Sequence, residues 1–311
     1  MSNIEEVKVI AEIGCNHMGR MDLAKELIQV AAKICNAHVA KFQKRHNKEL
    51  LTHEQYNAPH PVPANSYGDT YGDHREYLEF SVGQHKELLE ECRMMGIEYS
   101  TSVWDLTSAR EITSLNPSLI KLPSATNQHY ELQDYLCKNY DGEIHVSTGM
   151  TTREEIAELV QFYADRGRSN DLVLYACTSG YPVAFEDICI FEINRLQEEF
   201  GDKVKAIGFS GHHLGIAADI AALSAGRLGE RVYGKGRFGY IERHFTLDRT
   251  FKGTDHAASL EPDGLRRLCR DVKNVDQALT YKSVDILPVE QVQRDKLKWV
   301  KDKNGIEQLA S

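Results

Sequence analysis

A closed (β/α)8 TIM barrel is the fold class the sequence predicts, on three observations. Eight short apolar or β-branched runs recur along the chain, amphipathic segments separate them, and polar, chemically capable residues stand at the end of nearly every run. At 311 residues the chain exceeds the usual single-domain length, but barrels of this kind routinely reach it as one domain.

The first run, VKVIAEIG (7–14), precedes a segment in which Leu23, Leu27, Ala31 and Ile34 share one helical face. HVAKFQ (38–43) is the second strand. Residues 44–82 then form a long polar connection, too rich in Pro, Asn, Gly and Tyr for one continuous helix, and a loop of that length reads as a lid over the barrel mouth. IEYSTSVW (97–104), SLIKLPS (118–124) and EIHVSTG (143–149) are the third to fifth strands. A helix follows the fifth, with Ile156, Leu159, Val160 and Tyr163 on one face and Thr151 and Glu154 at capping-box spacing before it. DLVLYACTS (171–179), KAIGFSGH (205–212) and GYIERHF (239–245) complete the eight.

The basic, glycine-rich run GRLGERVYGKGRFG (226–239) predicts a tight surface excursion before the last strand. Its Arg231, Lys235 and Arg237 could meet an anion or a neighbouring subunit, but a solvated loop is the preferred reading. The expected domain covers residues 1–285. Residues 286–311 form a highly charged tail with few apolar positions, expected to pack on the outside or hang free. Neither an internal repeat nor a low-complexity tract is found.

A net charge of −9 and a pI near 5.8 argue against general nucleic-acid binding and against anionic membranes. No apolar run approaches the ~18 residues that span a bilayer, and the N-terminus lacks a signal-peptide pattern, so a cytoplasmic location is expected. The seven cysteines are scattered without a C-x-x-C pair, which predicts buried reduced thiols rather than disulfides or a thiolate zinc site.

A barrel of this class places its chemistry at the carboxyl ends of its strands, where Glu12, Lys41, Gln43, Lys121, Ser124, Ser147, Ser210, His212 and His244 fall. A lysine within an apolar strand is costly to desolvate unless it meets an anion. Lys41 in VAKFQ and Lys121 in LIKLPS therefore point to a shared phosphate or carboxylate ligand rather than to exposed rim positions. Ser124, Ser147 and Ser210 add hydroxyl donors, each a weak signal alone. His212 and His244 end consecutive strands, with Glu12 across the barrel and Asp255 shortly after. That set suits a divalent cation with open positions for water and substrate. Spacing does not decide between His212 and His213.

Those residues lie in motifs that resemble, in order, the sialic acid synthase (N-acetylneuraminate synthase) family: IAEIGCNHMG, VAKFQK, IKLPSATN, VSTGM, the YP of CTSGYP, GFSGHHLG and IERHFTLDRTFKGTDHAASLEP. The likeness runs over about residues 8–280. It implies condensation of phosphoenolpyruvate with an N-acylated hexosamine, of N-acetylmannosamine type and with or without a phosphate, to a nonulosonic acid. It implies Mn2+ or Mg2+ as the divalent metal, with His212 and His244 as ligands. By the same likeness Lys41, Lys121, Ser124, Ser147 and Ser210 cradle phosphoenolpyruvate, with Ser102 at a family threonine position. Glu12, Gln43, Tyr181 and Asp255 would face the sugar, and Ser179 stands where many members carry Asn.

Three departures accompany the resemblance. The family metal motif Gly-Leu-Ser-Asp-His-Thr reads here with Gly211 for the Asp and His213 for the Thr. The 226–239 run reads as an insertion between the two histidines. Residues 286–311 read as the remnant of a linker to an antifreeze-like domain that is absent. A homodimer is expected from the relatives, and a separate capping protein is a further expected partner. A metal-dependent aldolase or lyase on a related keto acid, and a non-catalytic sugar- or partner-binding barrel, are the competing readings. The motif matching makes one measurable distinction. His212→Ala should depress metal-dependent turnover more than His213→Ala, and the reverse order in steady-state assays would exchange their roles.

Overall fold

The computed structural model describes residues 5–301 and 307–309. Eight parallel strands close into a barrel in sequence order: β1 (Lys8–Gly14), β2 (Val39–Lys44), β3 (Glu98–Val103), β4 (Leu119–Leu122), β5 (Glu143–Ser147), β6 (Leu172–Cys177), β7 (Ala206–Gly211) and β8 (Phe238–His244). All eight predicted strands are present, each within a few residues of its expected ends. The chain divides into two units, Met1–Asp276 with the barrel and Gln277–Ser311.

Period-two alternation sorts each strand into an inward and an outward set. The inward residues nearest the amino ends, Ile10, Val39, Leu119, Val173, Ala206 and Tyr240 with Tyr175 above them, form a buried apolar plug. The next inward residues towards the carboxyl ends are polar, so the plug becomes the floor of a site.

The first helix, α1 (Met21–Lys33), buries Leu23, Ala24, Leu27, Ile28 and Ala31. Ile34 was expected on that face but is 55% exposed, because the helix ends at Lys33 and Ile34 is its C-cap. The long connection after β2 breaks into short elements: α2 (Asn47–Leu50), α3 (His53–Asn57), a 3-10 turn at Pro63–Asn65 and α4 (Tyr71–Leu78). It leads into α5 (Val82–Met95), and capping boxes at Thr52, Thr70 and Ser81 start α3, α4 and α5. Further round the barrel lie α6 (Leu106–Thr113), α7 (Tyr130–Asn139) and α8 (Arg153–Asp165). The expected face of α8 is buried as read, but its cap is Thr152 with Glu155 rather than Thr151 with Glu154. Both pairs have capping spacing; the Thr151 hydroxyl is taken by Gly149 O and Asn127 Nδ2.

After α9 (Glu192–Phe200), the structure overturns the expected surface excursion at 226–239. Helix α10 (Ala217–Tyr233) continues through Gly226 and Gly229 and ends at Gly234 in the left-handed conformation. Gly229 serves close packing, since a Cβ there would stand 1.9 Å from Gln197 Oε1 on α9. The run is the ordinary helix between β7 and β8, not an insertion. Lys235 pairs with Asp202 and Arg237 with Glu5 just before β8, at the end of the barrel away from its carboxyl rim. Helix α11 (Pro262–Ala278) closes the ring. In the second unit, α12 (Pro288–Leu297) is followed by an antiparallel pair, β9 (Trp299–Lys301) with β10 (Glu307–Leu309).

No disulfide joins the cysteines, but only Cys35, Cys92 and Cys269 are buried. Cys189 is exposed, while Cys15 and Cys177 face the cavity described below, because strand alternation carries Cys177 inward. No helix among the described residues is long and apolar enough to cross a membrane.

One outward residue locks the rim. Arg243 on β8 is fully buried and pairs with the equally buried Asp219 of α10. Its guanidinium also donates to Gly215 O at 2.8 Å and His213 O at 2.5 Å, tying the β7–α10 loop to β8. Asp219→Ala would leave that guanidinium buried without its carboxylate, so a loss of about 3–5 kcal/mol in urea unfolding is expected.

Candidate active site

Strand register assembles the site. Glu12 pairs in register with Lys41 on one side and His244 on the other. Ser102 stands beside both Gln43 and Lys121, and Ser210 beside Glu242. These side chains line one cavity of about 420 Å³ at the carboxyl rim.

The two lysines predicted to be buried are buried, at 3% exposure for Lys41 and 2% for Lys121. Their counter-ion is Glu242, which sequence reading missed. Its Oε2 lies 3.6 Å from Lys41 Nζ and 3.2 Å from Lys121 Nζ, and Oε1 accepts from Ser210 Oγ at 3.1 Å. A signal was present: Glu242 is two residues before His244 and so shares its inward face. Lys41 also pairs with Glu12 and donates to Ser102 Oγ at 2.9 Å. Lys121 sits 3.3 Å above the centre of the Tyr175 ring.

Burial and charge compete over these groups. Burial pushes the Glu12 carboxyl up to about 8, against the pull of Lys41. Burial would raise Glu242 too, but the ammonium groups of Lys121 and Lys41 outweigh it and hold Glu242 well below the usual carboxylate range. Lys121 is lowered to about 8 by burial, with Glu242 opposing. Burial also works to lower Lys41, but the carboxylates of Glu12 and Glu242 outweigh it and leave it raised.

The hydroxyls converge as expected. Ser102, Ser124, Ser147, Ser179 and Ser210 all line the cavity, and Ser124 Oγ accepts from Gly149 N at 3.1 Å. Half-buried Gln43 lies against the Cys15 thiol, which burial raises to about 11. Tyr181 and Asp255 complete the lining on the outer side.

The histidine question has a geometric answer. The rings of His212 and His244 face one another in the cavity with centroids 5.4 Å apart, and Tyr181 packs on His212 at 4.4 Å. His213 points out of the barrel, fully buried, with Nε2 3.2 Å from Asp219 and 3.0 Å from Arg243. The two motif departures are coupled, because a Cβ at Gly211 would come within 2.9 Å of the His213 ring.

Burial lowers His212 to about 3, helped by His244, and lowers His244 against the charge of Asp255. Both rings are thus neutral, the form that binds metal. His212 Nδ1 donates to Thr178 O at 3.2 Å, which leaves Nε2 with a free lone pair, and the buried Nδ1 of His244 has no partner. The donor set suits a divalent cation. Among the described residues no group of three or more His, Cys, Asp or Glu is placed to hold a metal ion, so protein donors alone would supply the two imidazoles.

The NeuB family profile matches residues 27–284. The chain belongs to the NeuB family. Human N-acetylneuraminate-9-phosphate synthase is 35% identical over 289 residues, 93% of this chain and 76% of that protein. The N,N'-diacetyllegionaminic acid synthase of Campylobacter jejuni is 29% identical, over 89% of this chain and 78% of its own length. The crystal structure of N-acetylneuraminic acid (sialic acid) synthetase from Leptospira borgpetersenii, in complex with citrate, superposes with a TM-score of 0.75. It covers 94% of this chain and 93% of that one at 23% identity, a likeness of fold. Family membership confirms the resemblance read from the motifs, and the barrel is the family's barrel.

Removal of Glu242 isolates the behaviour of the lysine pair. Glu242→Ala should cost about 3–5 kcal/mol by leaving two buried ammonium groups without their shared carboxylate. Millimolar inorganic phosphate should then raise the thermal midpoint of the variant more than that of the wild type. Equal shifts in the two proteins would deny that the pair accepts an anion.

Proposed function

We propose that the chain condenses phosphoenolpyruvate with an open-chain N-acylhexosamine of N-acetylmannosamine type, releasing phosphate and a nonulosonic acid. The observation that carries this reading is the cavity floor, where two buried ammonium groups lie beside a facing pair of neutral imidazoles. The activities named for the relatives, one of them 35% identical across most of this chain, support it.

The residues take roles that follow from charge. Lys41 and Lys121 hold the carboxylate and phosphate of phosphoenolpyruvate, with the hydroxyls of Ser102, Ser124, Ser147 and Ser210 completing the cradle. Gln43, Ser179, Tyr181 and Asp255 position the sugar above it. His212 and His244 would hold Mn2+ or Mg2+, which when bound supplies Lewis-acid polarisation of the aldehyde.

Glu12 moves the protons. The methylene carbon of phosphoenolpyruvate attacks the aldehyde carbon, forming the C–C bond and leaving negative charge on the aldehyde oxygen. Glu12, whose carboxyl burial raises against the pull of Lys41, gives a proton to that oxygen. Positive charge has meanwhile grown at the carbon bearing the phosphate, where Glu242 and the new Glu12 carboxylate stabilise it. Water adds there as Glu12 takes back one proton. The tetrahedral adduct then expels phosphate by C–O cleavage, its hydroxyl proton leaving with the phosphate, and the ketone forms. One carboxyl group thus gives and recovers one proton per turnover.

Neither the aldolase reading nor the non-catalytic barrel has an observation in its favour. With Mn2+ present, phosphoenolpyruvate should yield inorganic phosphate only when an N-acylhexosamine is added, and chelation should stop the release. His244→Ala should lower turnover by about two orders of magnitude or more with an unchanged circular dichroism spectrum. Full activity of that variant after chelation and metal return would remove His244 from the ligand set.

A further inference from the structure

One polar thread runs through the apolar plug, and the chemistry above does not use it. His145 on β5 is fully buried and stands in register between Lys121 of β4 and Val173 of β6. Its ring centroid lies 4.6 Å from that of Tyr240 and 5.6 Å from that of Tyr175. Nδ1 is 2.7 Å from the Tyr175 hydroxyl, and Nε2 is 3.0 Å from Glu143 Oε2. Tyr240 donates to the same carboxylate oxygen at 2.6 Å, and Lys205 pairs with the other at 3.0 Å.

The direction of each bond follows from charge. Burial would raise Glu143, but hydrogen bonds from His145 and Tyr240 outweigh it and hold the carboxyl well below its usual range, so Glu143 only accepts. His145 therefore carries a hydrogen on Nε2. Burial lowers this imidazole against the pull of Glu143, so Nδ1 keeps its lone pair and accepts from Tyr175. The thread thus reads Tyr175 O–H to His145, then His145 N–H to Glu143. Both bonds fix the orientation of the rings they join.

Tyr175 also turns a face to the cavity, and the Lys121 ammonium sits 3.3 Å from its ring centre. The other charged and titratable groups near Lys121 are Glu242 of β8 at 3.2 Å, Lys41 of β2, which repels it, and the Cys177 thiol of β6. Burial works against the charged form of Lys121, with Glu242 opposing, and Glu242 is shared with Lys41. A phenol that donates into an imidazole–carboxylate pair gains electron density in its ring, which strengthens its hold on a cation over the face.

We propose that Glu143, His145 and Tyr175 form a positioning triad for Lys121: the carboxylate orients the imidazole, the imidazole orients and polarises the phenol, and the ring face seats the ammonium. The triad itself is independent of the reaction. That the seated ammonium serves phosphoenolpyruvate rests on the condensing reading.

The test reads Lys121 directly. In the full chain with lysine isotope-labelled at Cε, the Lys121 signal, assigned by its loss in Lys121→Arg, reports the titration of the ammonium in an NMR pH series. In Tyr175→Leu the midpoint should fall about one pH unit below the wild type, since loss of the cation–π contact is worth about tenfold in the protonation equilibrium. Tyr175→Phe keeps the ring and should lower the midpoint by about half a unit. His145→Phe should match it, and the two together should go no further than either alone. Unmoved midpoints in both Tyr175 variants overturn the triad, and additive shifts from the two phenylalanine variants overturn action through the phenol. Should Tyr175→Leu fail to fold, the phenylalanine variants decide on the same terms.

Steady-state kinetics separates the second claim. With Mn2+ and N-acetylmannosamine or its 6-phosphate, Tyr175→Leu should raise the KM for phosphoenolpyruvate about fivefold or more at about pH 8, with kcat within about twofold. Lowered midpoints without turnover of either sugar by the wild type support the triad and count against the condensing reading. Unmoved midpoints beside full turnover do the reverse.

Discussion

Two ammonium groups buried inside a barrel impose the constraint from which the rest of the site follows. Desolvating Lys41 and Lys121 costs several kcal/mol each unless negative charge is supplied at close range. Glu242 supplies it to both, and that requires β2, β4 and β8 to meet in one register. The apolar plug beneath keeps water from entering from below, while the open rim above admits ligand. Glu242 is shared between the two cations, and Glu12 is a second partner of Lys41.

The outward face of β8 protects this arrangement. Arg243 lies between Glu242 and His244 in sequence but points the other way, into Asp219, His213 and the β7–α10 loop. It anchors the strand from behind and holds both inward neighbours at the cavity. His213 belongs to this anchor rather than to the site, and Gly211 leaves room for its ring. Gly211 and His213 thus form one packing solution, and His212 keeps its place at the cavity.

Lid and floor divide the cavity by chemistry. The floor pairs cations with carboxylates, so its groups can exchange protons and respond to a reacting ligand. The lid lining carries donors and no carboxylate, which favours holding an anion over reacting with it. Arg45 links the two, rooted at the end of β2 and bonded to Glu79 just beyond α4.

Periodicity in the sequence determined the barrel, its eight strands and the placement of Lys41, Lys121 and His244 at strand ends, because alternation and strand ends are local properties. Glu242 was legible by the same rule, two positions before His244. Helix ends were less so: paired threonines at 151 and 152 satisfy the same capping spacing, and glycines at 226 and 229 look like a loop until α9 is seen packed against them. Spacing alone did not separate His212 from His213, although the motif resemblance favoured His212; the physical choice depends on a buried arginine thirty residues on. Only the tertiary structure decided which lid residues reach the cavity. Their path is set by a chain of short helices without a long period, and contacts between elements distant in sequence leave no pattern within either one.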